Sequence, residues 1–192
     1  MDIPDKLRIM RYGPAMVNIE SVPVDPCEYG QLPYLRQYMI EVMLRFNGVG
    51  IAACQVGVFS NFCLVGLANG TILDMVNPEI IEMHGYEPMG FEACLSIPPV
   101  GNGCIVPRME HITVAAGSAD APRNKREYRL SMMEARVAQH EIDHLSGVFF
   151  IDRATEKRKK VVLQTYENWR RTQWRPQCSA TSPAEHRLSP IG

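Results

Sequence analysis

Gln139-His140-Glu141-Ile142-Asp143-His144-Leu145-Ser146-Gly147 carries two histidines four positions apart, with a glutamate next to the first. In an α-helix, positions four apart lie only about 40° from each other around the axis. His140 and His144 would therefore aim two imidazoles at one point with Glu141 beside them, the arrangement that a divalent metal and a general base require. The flanking residues predict the helix. Ser131 and Glu134 form a Ser-x-x-Glu capping-box pattern at its start. Residues 132–145 contain neither Pro nor Gly, and Gly147 is placed to end the helix in the left-handed conformation.

The rest of the composition narrows the function classes. A chain of 192 residues, 46% hydrophobic, is long enough for one domain with a sizeable core. Lys and Arg (20) nearly balance Asp and Glu (21), so no global field points to DNA or to a membrane surface. No apolar run approaches the ~20 residues of a membrane span. The first residues, Met-Asp-Ile-Pro-Asp-Lys, lack both a signal-peptide core and the Arg/Ser bias of a transit peptide. That predicts a cytoplasmic, bacterial-type protein, or an organellar one whose transit peptide has been trimmed. The six cysteines (27, 54, 63, 94, 104 and 178) show no paired spacing and read as reduced thiols.

Taken in order, residues 1–30 carry four prolines and little periodicity, which predicts an extended arm wrapping the domain. A helix is expected over 33–46, with Pro33 in its first turn, Leu35, Met39, Val42 and Phe46 on one face, and Asn47-Gly48 as its stop. The following Gly48-Val49-Gly50-Ile51-Ala52-Ala53-Cys54-Gln55 has almost no side-chain bulk at four positions, so a ligand or another backbone can approach closely. Strands at 62–67 and 71–76 flank Asn69-Gly70, a hairpin turn. Pro78 is expected to break that run before a further strand at 80–83. Residues 88–107, dense in Gly and Pro, read as a long shaped loop. Strands follow at 111–116 and 126–130, then the histidine helix, an apolar run at 148–151, and a last helix over 156–174. That helix carries Lys157, Arg158, Lys159, Lys160, Arg170, Arg171 and Arg175 against Glu156 and Glu167. It reads first as a solvated face; the functional alternative is docking to an acidic partner such as ribosomal RNA. The domain is thus expected over 1–175, and the Ser/Pro/Thr/Ala-rich 176–192 reads as a disordered tail.

Two histidines do not close a zinc-type site; a third protein ligand and one open position make it catalytic. Cysteine is a candidate, and spacing alone cannot choose among six. Three segments in order resemble peptide deformylase: Gly48-Val49-Gly50-Ile51-Ala52-Ala53-Cys54-Gln55, Glu92-Ala93-Cys94-Leu95-Ser96, and the histidine segment. The likeness runs from about Ile9 to Trp174. It implies an α+β fold, antiparallel strands packed around a central metal-binding helix with a C-terminal helix after it. It implies one divalent metal held by Cys94, His140 and His144 with a water in the fourth position: Fe2+ in the cell, with Zn2+ or Ni2+ possible as purified. Glu141 is implied as the proton carrier, with Gln55 and the backbone N–H of Leu95 as donors to the formyl oxygen. The reaction so implied removes the formyl group from N-formylated nascent peptides, which bind extended along a sheet edge. Gly48, Val49, Gly50, Ile51, Glu92, Met133, Arg136 and Val137 are the implied substrate-side residues. Glu92 and Arg108 resemble a buried ion pair that steadies the cysteine loop, the plainer alternative being an inconsequential surface pair. Asp143 is expected to anchor its helix, and the remaining cysteines and His84, His111 and His186 to be structural.

The chain departs from that pattern at three positions. Ala93 stands where relatives carry Gly. Arg136 lies one turn before His140, on a stripe that in relatives floors an apolar pocket, and Gly90 stands where a bulkier apolar residue is usual. An unpaired buried guanidinium would be costly. Arg136 is therefore expected either to snorkel to solvent over its stem or to line the pocket rim and alter preference, which would make a specialised deformylase. Two rival readings remain. A His-Glu-x-x-His metallopeptidase would need a downstream Glu or His ligand, and a catalytically silent domain would bind ribosomes or peptides through its basic helix.

Overall fold

The computed structural model describes residues 1–173 except Asp5, Glu87 and Val100. The expected tail, Cys178, His186 and the end of the last predicted helix lie outside the described residues. The architecture is α+β. An antiparallel five-stranded sheet runs β1 (Gly50–Ala52), β2 (Phe62–Gly66), β3 (Ile72–His84), β6 (His111–Gly117) and β7 (Arg126–Ser131). A separate hairpin pairs β4 (Met89–Ala93) with β5 (Gly103–Pro107). The helices are α1 (Leu32–Arg45), α2 (Met132–Leu145) and α3 (Glu156–Gln173). No described helix is long and apolar enough to cross a membrane.

Around β1 and β2 the sheet is buried on both faces, with alternate side chains turned to opposite sides. Ile51, Phe62, Leu64 and Val76 face α1, which buries Leu32, Leu35, Met39, Val42 and Met43 against them. Each such side chain contributes about 1.5–3 kcal/mol of burial free energy. Ala52, Cys63, Val65, Met75 and Val114 face the other way, toward Ala135, Val137, Ala138 and Leu145 of α2. Small residues on α2 let it lie close to β1 and β2. Phe149, Phe150 and Tyr166 close the same cluster from the C-terminal side.

Among the described residues the N-terminal arm has no regular element before Pro26, and it is tied down by backbone bonds, Met10 N–H to Gln55 O, Tyr12 N–H to Ser96 O and Ser21 N–H to Leu145 O. Three expectations need correction. The strand beginning at Ile72 does not break at Pro78. Asn77 takes a positive φ of 49°, the register with β6 shifts there, and Pro78, which has no N–H to donate, sits in that irregularity of a strand continuing to His84. Residues 88–107 are not one loop but the β4–β5 hairpin, with only its connection irregular. The apolar run at 148–151 leads into a 3-10 turn, Phe150–Arg153.

The third correction is the capping box, which does not form. Ser131 is still extended as the last residue of β7, and its side chain makes no capping bond. The chain turns directly into α2 through Met132, at a positive φ of 52°, whose N–H donates to Glu110 O. Glu134 instead accepts from Ala68 N–H at 2.9 Å, tying α2 to the loop after β2. The other end follows expectation. Gly147 has φ 69°, and a Cβ there would stand 2.9 Å from the Ile19 backbone nitrogen.

Candidate metal centre and cleft

Helix α2, anchored at both ends, carries His140 and His144 on the face toward the cysteine loop. The ligand atoms of Cys94, His140 and His144 all lie within 4.8 Å of one another, and all three residues are buried. Cys94 Sγ is 3.2 Å from His144 Nε2. The imidazole planes are perpendicular, with centroids 4.8 Å apart. Phe150 stacks on His140, and Phe149 meets His144 edge-on at 4.8 Å, so packing fixes both rings. Glu92 holds His140 Nδ1 at 2.9 Å, which leaves Nε2 for the site. A thiolate and two imidazoles converging on one point are a donor set for a borderline-soft divalent ion. The residues present fit such a cation. Among the described residues no other group of His, Cys, Asp or Glu converges this way.

The electrostatics separate these groups. Burial alone would lower His140, but hydrogen bonds with Cys94 and Glu92 carry it well above its ordinary range. Burial and the charge of His140 push His144 well below. Burial pushes the Glu141 carboxyl up to about 7, and its Oε2 is buried without a hydrogen-bond partner. Of the other cysteines, Cys54 is pushed up to about 12 by burial, Cys63 is raised well above its ordinary value and Cys104 is also raised. They are packed thiols, and the five described cysteines are all free.

Gln55 sits on a 3-10 turn (Ala53–Val56) immediately after β1. Its Oε1 accepts from Ala52 N–H at 2.9 Å, so its amide nitrogen points the other way, 3.4 Å from Cys94 Sγ and 3.2 Å from Ser96 Oγ. The Leu95 carbonyl accepts from Arg11 Nη1 at 2.9 Å, fixing the plane of the loop that follows Cys94.

A cleft of about 720 Å³ opens over these groups. Cys94, His140, Glu141 and Gln55 lie at its head; Gly48, Val49, Gly50 and Leu95 form one wall, and Met133, Arg136 and Val137 line α2's side, with Glu92 behind them. Ile51 is not in the wall. One residue along a strand turns the side chain to the opposite face, and Ile51 is fully buried against α1. Gly50 has no room for a side chain, since a Cβ would stand 2.6 Å from Glu141 Oε1 and 2.7 Å from Val137 Cγ1. Phe46, Phe91, Arg11 and Trp169 also line the cleft. Phe46 and Phe91 adjoin singled-out segments; Arg11 and Trp169, brought together with the guanidinium 5.2 Å from the indole, had no local signal.

Arg136 does not snorkel. It is buried (8% exposed), and its Nη1 donates to Glu92 Oε1 at 2.8 Å. Nor is the pair of Glu92 with Arg108 a surface one: Arg108 Nε and Nη2 reach the two carboxylate oxygens at 2.9 and 3.0 Å, both side chains being almost wholly enclosed. Asp143 is bound by Arg108 and Arg153 and takes no part in the cysteine–histidine group.

A family model described as polypeptide deformylase matches residues 6–160. A peptide deformylase of Dictyoglomus thermophilum is 44% identical over 126 residues, covering 66% of this chain and 78% of its own. Among solved structures, a peptide deformylase from Legionella pneumophila superposes with a TM-score of 0.79 at 28% identity, covering 88% of this chain and 98% of that one. A Met-Ala-Ser-bound class I type b peptide deformylase from Acinetobacter baumannii gives a TM-score of 0.70 at 31% identity, covering 77% and 98%.

Proposed function

Since the chain belongs to the polypeptide deformylase family, we propose that its own residues divide the family's reaction as follows. The activity is that of a metal-dependent hydrolase that removes the N-terminal formyl group from formyl-methionyl peptides of newly made proteins and releases formate. Cys94, His140 and His144 would hold one divalent cation, whose Lewis acidity lowers the pKa of a water toward neutral. Glu141 takes the proton of the attacking water and later delivers it to the departing amine. The water oxygen bonds to the formyl carbon, the carbon–nitrogen bond breaks, and formate leaves a free amino terminus. Gln55 Nε2 and the Leu95 N–H donate to the formyl oxygen as its charge grows. Fe2+ is the proposed ion in the cell, with Zn2+ or Ni2+ as replacements, and the cytoplasm is the proposed compartment.

The observation that carries this division is the convergence of three ligand atoms within 4.8 Å beside the buried, unpartnered Glu141 carboxylate. The substrate side rests on β1, which is an edge strand of its sheet. An extended peptide can add to that edge past the bare backbone of Gly48 and Gly50, placing its first side chain between Met133, Val137 and Phe91. The Acinetobacter relative, with Met-Ala-Ser bound, supports a methionine there.

Arg136 does not favour an acidic first residue, because Nη1 and Nη2 are engaged by Glu92 and by the carbonyls of Val106 and Pro88. What it offers the cleft is chiefly its stem. Formate release is therefore expected from a formyl-Met tripeptide with ferrous-loaded protein kept anaerobic. Formyl-Asp and formyl-Glu peptides are expected to fall behind by roughly 10- to 200-fold in kcat/KM. Equal or better turnover of the acidic peptides would sink the ordinary pocket and favour a specialised one.

The second element of the proposal is α3 as a ribosome-docking face. Arg158 and Lys159 are spent on Ile105 O and Asp152, but Lys157, Lys160 and Arg171 are exposed. Co-sedimentation with ribosomes is expected at low salt and should be lost when these three become Glu; sedimentation indifferent to both changes would remove α3 from the proposal.

A further inference from the structure

Four donors meet on the one buried carboxylate of Glu92. Oε1 receives Arg108 Nε at 2.9 Å and Arg136 Nη1 at 2.8 Å; Oε2 receives Arg108 Nη2 at 3.0 Å and faces His140 Nδ1 at 2.9 Å. Arg108 reaches Glu92 from just after β5, and Asp143 of α2 holds it in turn. Arg136 reaches it from α2 itself, one turn before His140. The same guanidinium also binds β5 at Val106 O (3.1 Å) and the approach to β4 at Pro88 O (2.7 Å). One side chain thus joins the metal helix, both hairpin strands and the carboxylate that orients a metal ligand.

The space for this guanidinium is supplied by Gly90. A Cβ at that position would lie 2.6 Å from Arg136 Cζ, 2.7 Å from Nη2 and 2.8 Å from Nε. Gly90 takes no positive φ, so it is not a glycine for the sake of a turn. It is small because the guanidinium lies against its Cα. Any larger residue at 90 expels Arg136 from its pairing with Glu92, and a buried guanidinium driven off its partners is costly.

We propose that Arg136 and Gly90 form a reciprocal pair that holds Glu92, and through it His140, in register with Cys94, which makes Arg136 a positioning residue of the metal site. This rests on the assignment of Cys94, His140 and His144 as ligands and goes beyond it. A carboxylate behind a ligating histidine sets ring orientation and ligand basicity, and losing it costs roughly 10- to 100-fold in metal affinity. Arg136 acts one bond further out, so its loss costs less, roughly 3- to 10-fold by the same principle.

The test uses zinc-loaded full-length protein and follows transfer of zinc to a chromophoric chelator well below the unfolding temperature, beside thermal unfolding of the metal-free proteins. Arg136→Met and Gly90→Val are each expected to release zinc faster than the parent by that factor. Arg136→Lys, which keeps the charge but loses the fork, should fall between. The double variant Gly90→Val/Arg136→Met should match Arg136→Met alone, because Gly90→Val acts by displacing a guanidinium that is already gone. Unchanged release with a lowered unfolding temperature would make Arg136 a mere stitch between helix and hairpin and overturn the proposal. Independent, multiplying effects of the two substitutions would overturn the reciprocity. If Gly90→Val does not fold, the series of Met, Lys and parent at 136 still decides the positioning role. A parent that binds no zinc overturns the proposal through its ligand assignment. A parent that binds zinc but yields no formate contradicts the reaction scheme while leaving this proposal standing.

Discussion

Glu141→Gln is expected to keep the fold and a stoichiometric metal while lowering kcat for formate release by about 10²- to 10⁴-fold, the usual worth of a positioned proton carrier. The amide matches the carboxylate in shape. It fills the space between Gly50 and Val137, where Oε1 would stand only 2.6 Å from a Cβ on Gly50, but it cannot take a proton. KM should change little, since the lost interaction belongs to the transition state. Burial pushes the carboxyl up to about 7, and a cation bound nearby lowers it again. The parent's kcat/KM should therefore rise with pH through a limb at or below about 7 that the variant lacks. The sign for stability is the reverse. A carboxyl raised by folding favours the native state when protonated, so the metal-free parent loses stability as pH rises from about 4.5 toward about 7. Metal-free Glu141→Gln should lack that loss. Metal analysis, steady-state kinetics and thermal unfolding across pH check all three, and a kcat within about threefold of the parent would remove Glu141 from the chemistry.

The histidine helix was legible because its information is local: a stretch free of Pro and Gly, two His four apart, and a glycine that the structure holds at positive φ. The hairpin at 89–107 was not legible, for a reason visible in its glycines. Gly90 and Gly103 read as chain breakers, yet neither takes a positive φ. Gly103 is small because a Cβ would fall 2.0 Å from the Glu92 carbonyl oxygen, and Gly90 because Arg136 lies against it. Sequence patterning reports a glycine's freedom; it does not report that a neighbour needs the space. The capping box failed similarly. Ser131 and Glu134 have the right types and spacing, but β7 runs into α2 with no intervening turn, and Glu134 finds its partner at Ala68, far off in the chain.

Arg136 shows the same limit from the other side. On the helix alone it is a charge on an apolar stripe, and the choices are solvent or an altered pocket. Its partner Glu92 lies 44 residues earlier and was itself read through its relation to Arg108. Only the fold brings the two pairs onto one carboxylate. The cleft's Arg11 and Trp169 belong to the same class, because residues from opposite ends of the chain that meet across a groove leave no periodicity to find.

The ligand that spacing could not choose gives the other large expected effect: Cys94→Ser should cost at least ~100-fold in zinc affinity, above the range for removing a partner behind a ligand, and abolish formate release with it. As a metal ligand the sulfur would be the site's one anionic donor, and a serine hydroxyl does not ionise at neutral pH to replace it. His140 and His144 would remain, oriented by Phe150, Phe149 and Glu92, but two neutral imidazoles give a dication no charge compensation. Gln55 would feel the change too, because its amide nitrogen lies 3.4 Å from Cys94 Sγ and would pull toward Ser96 Oγ, already at 3.2 Å. The outcome separates two roles for this cysteine. If it is a ligand, Cys94→Ser protein binds zinc poorly at every pH, while Cys54→Ser, altering a thiol that packs beside the His144 carbonyl at 3.4 Å, binds near parental affinity despite any loss of stability. If Cys94 only packs the loop after β4, the two variants should bind zinc alike, and the third ligand must be sought elsewhere.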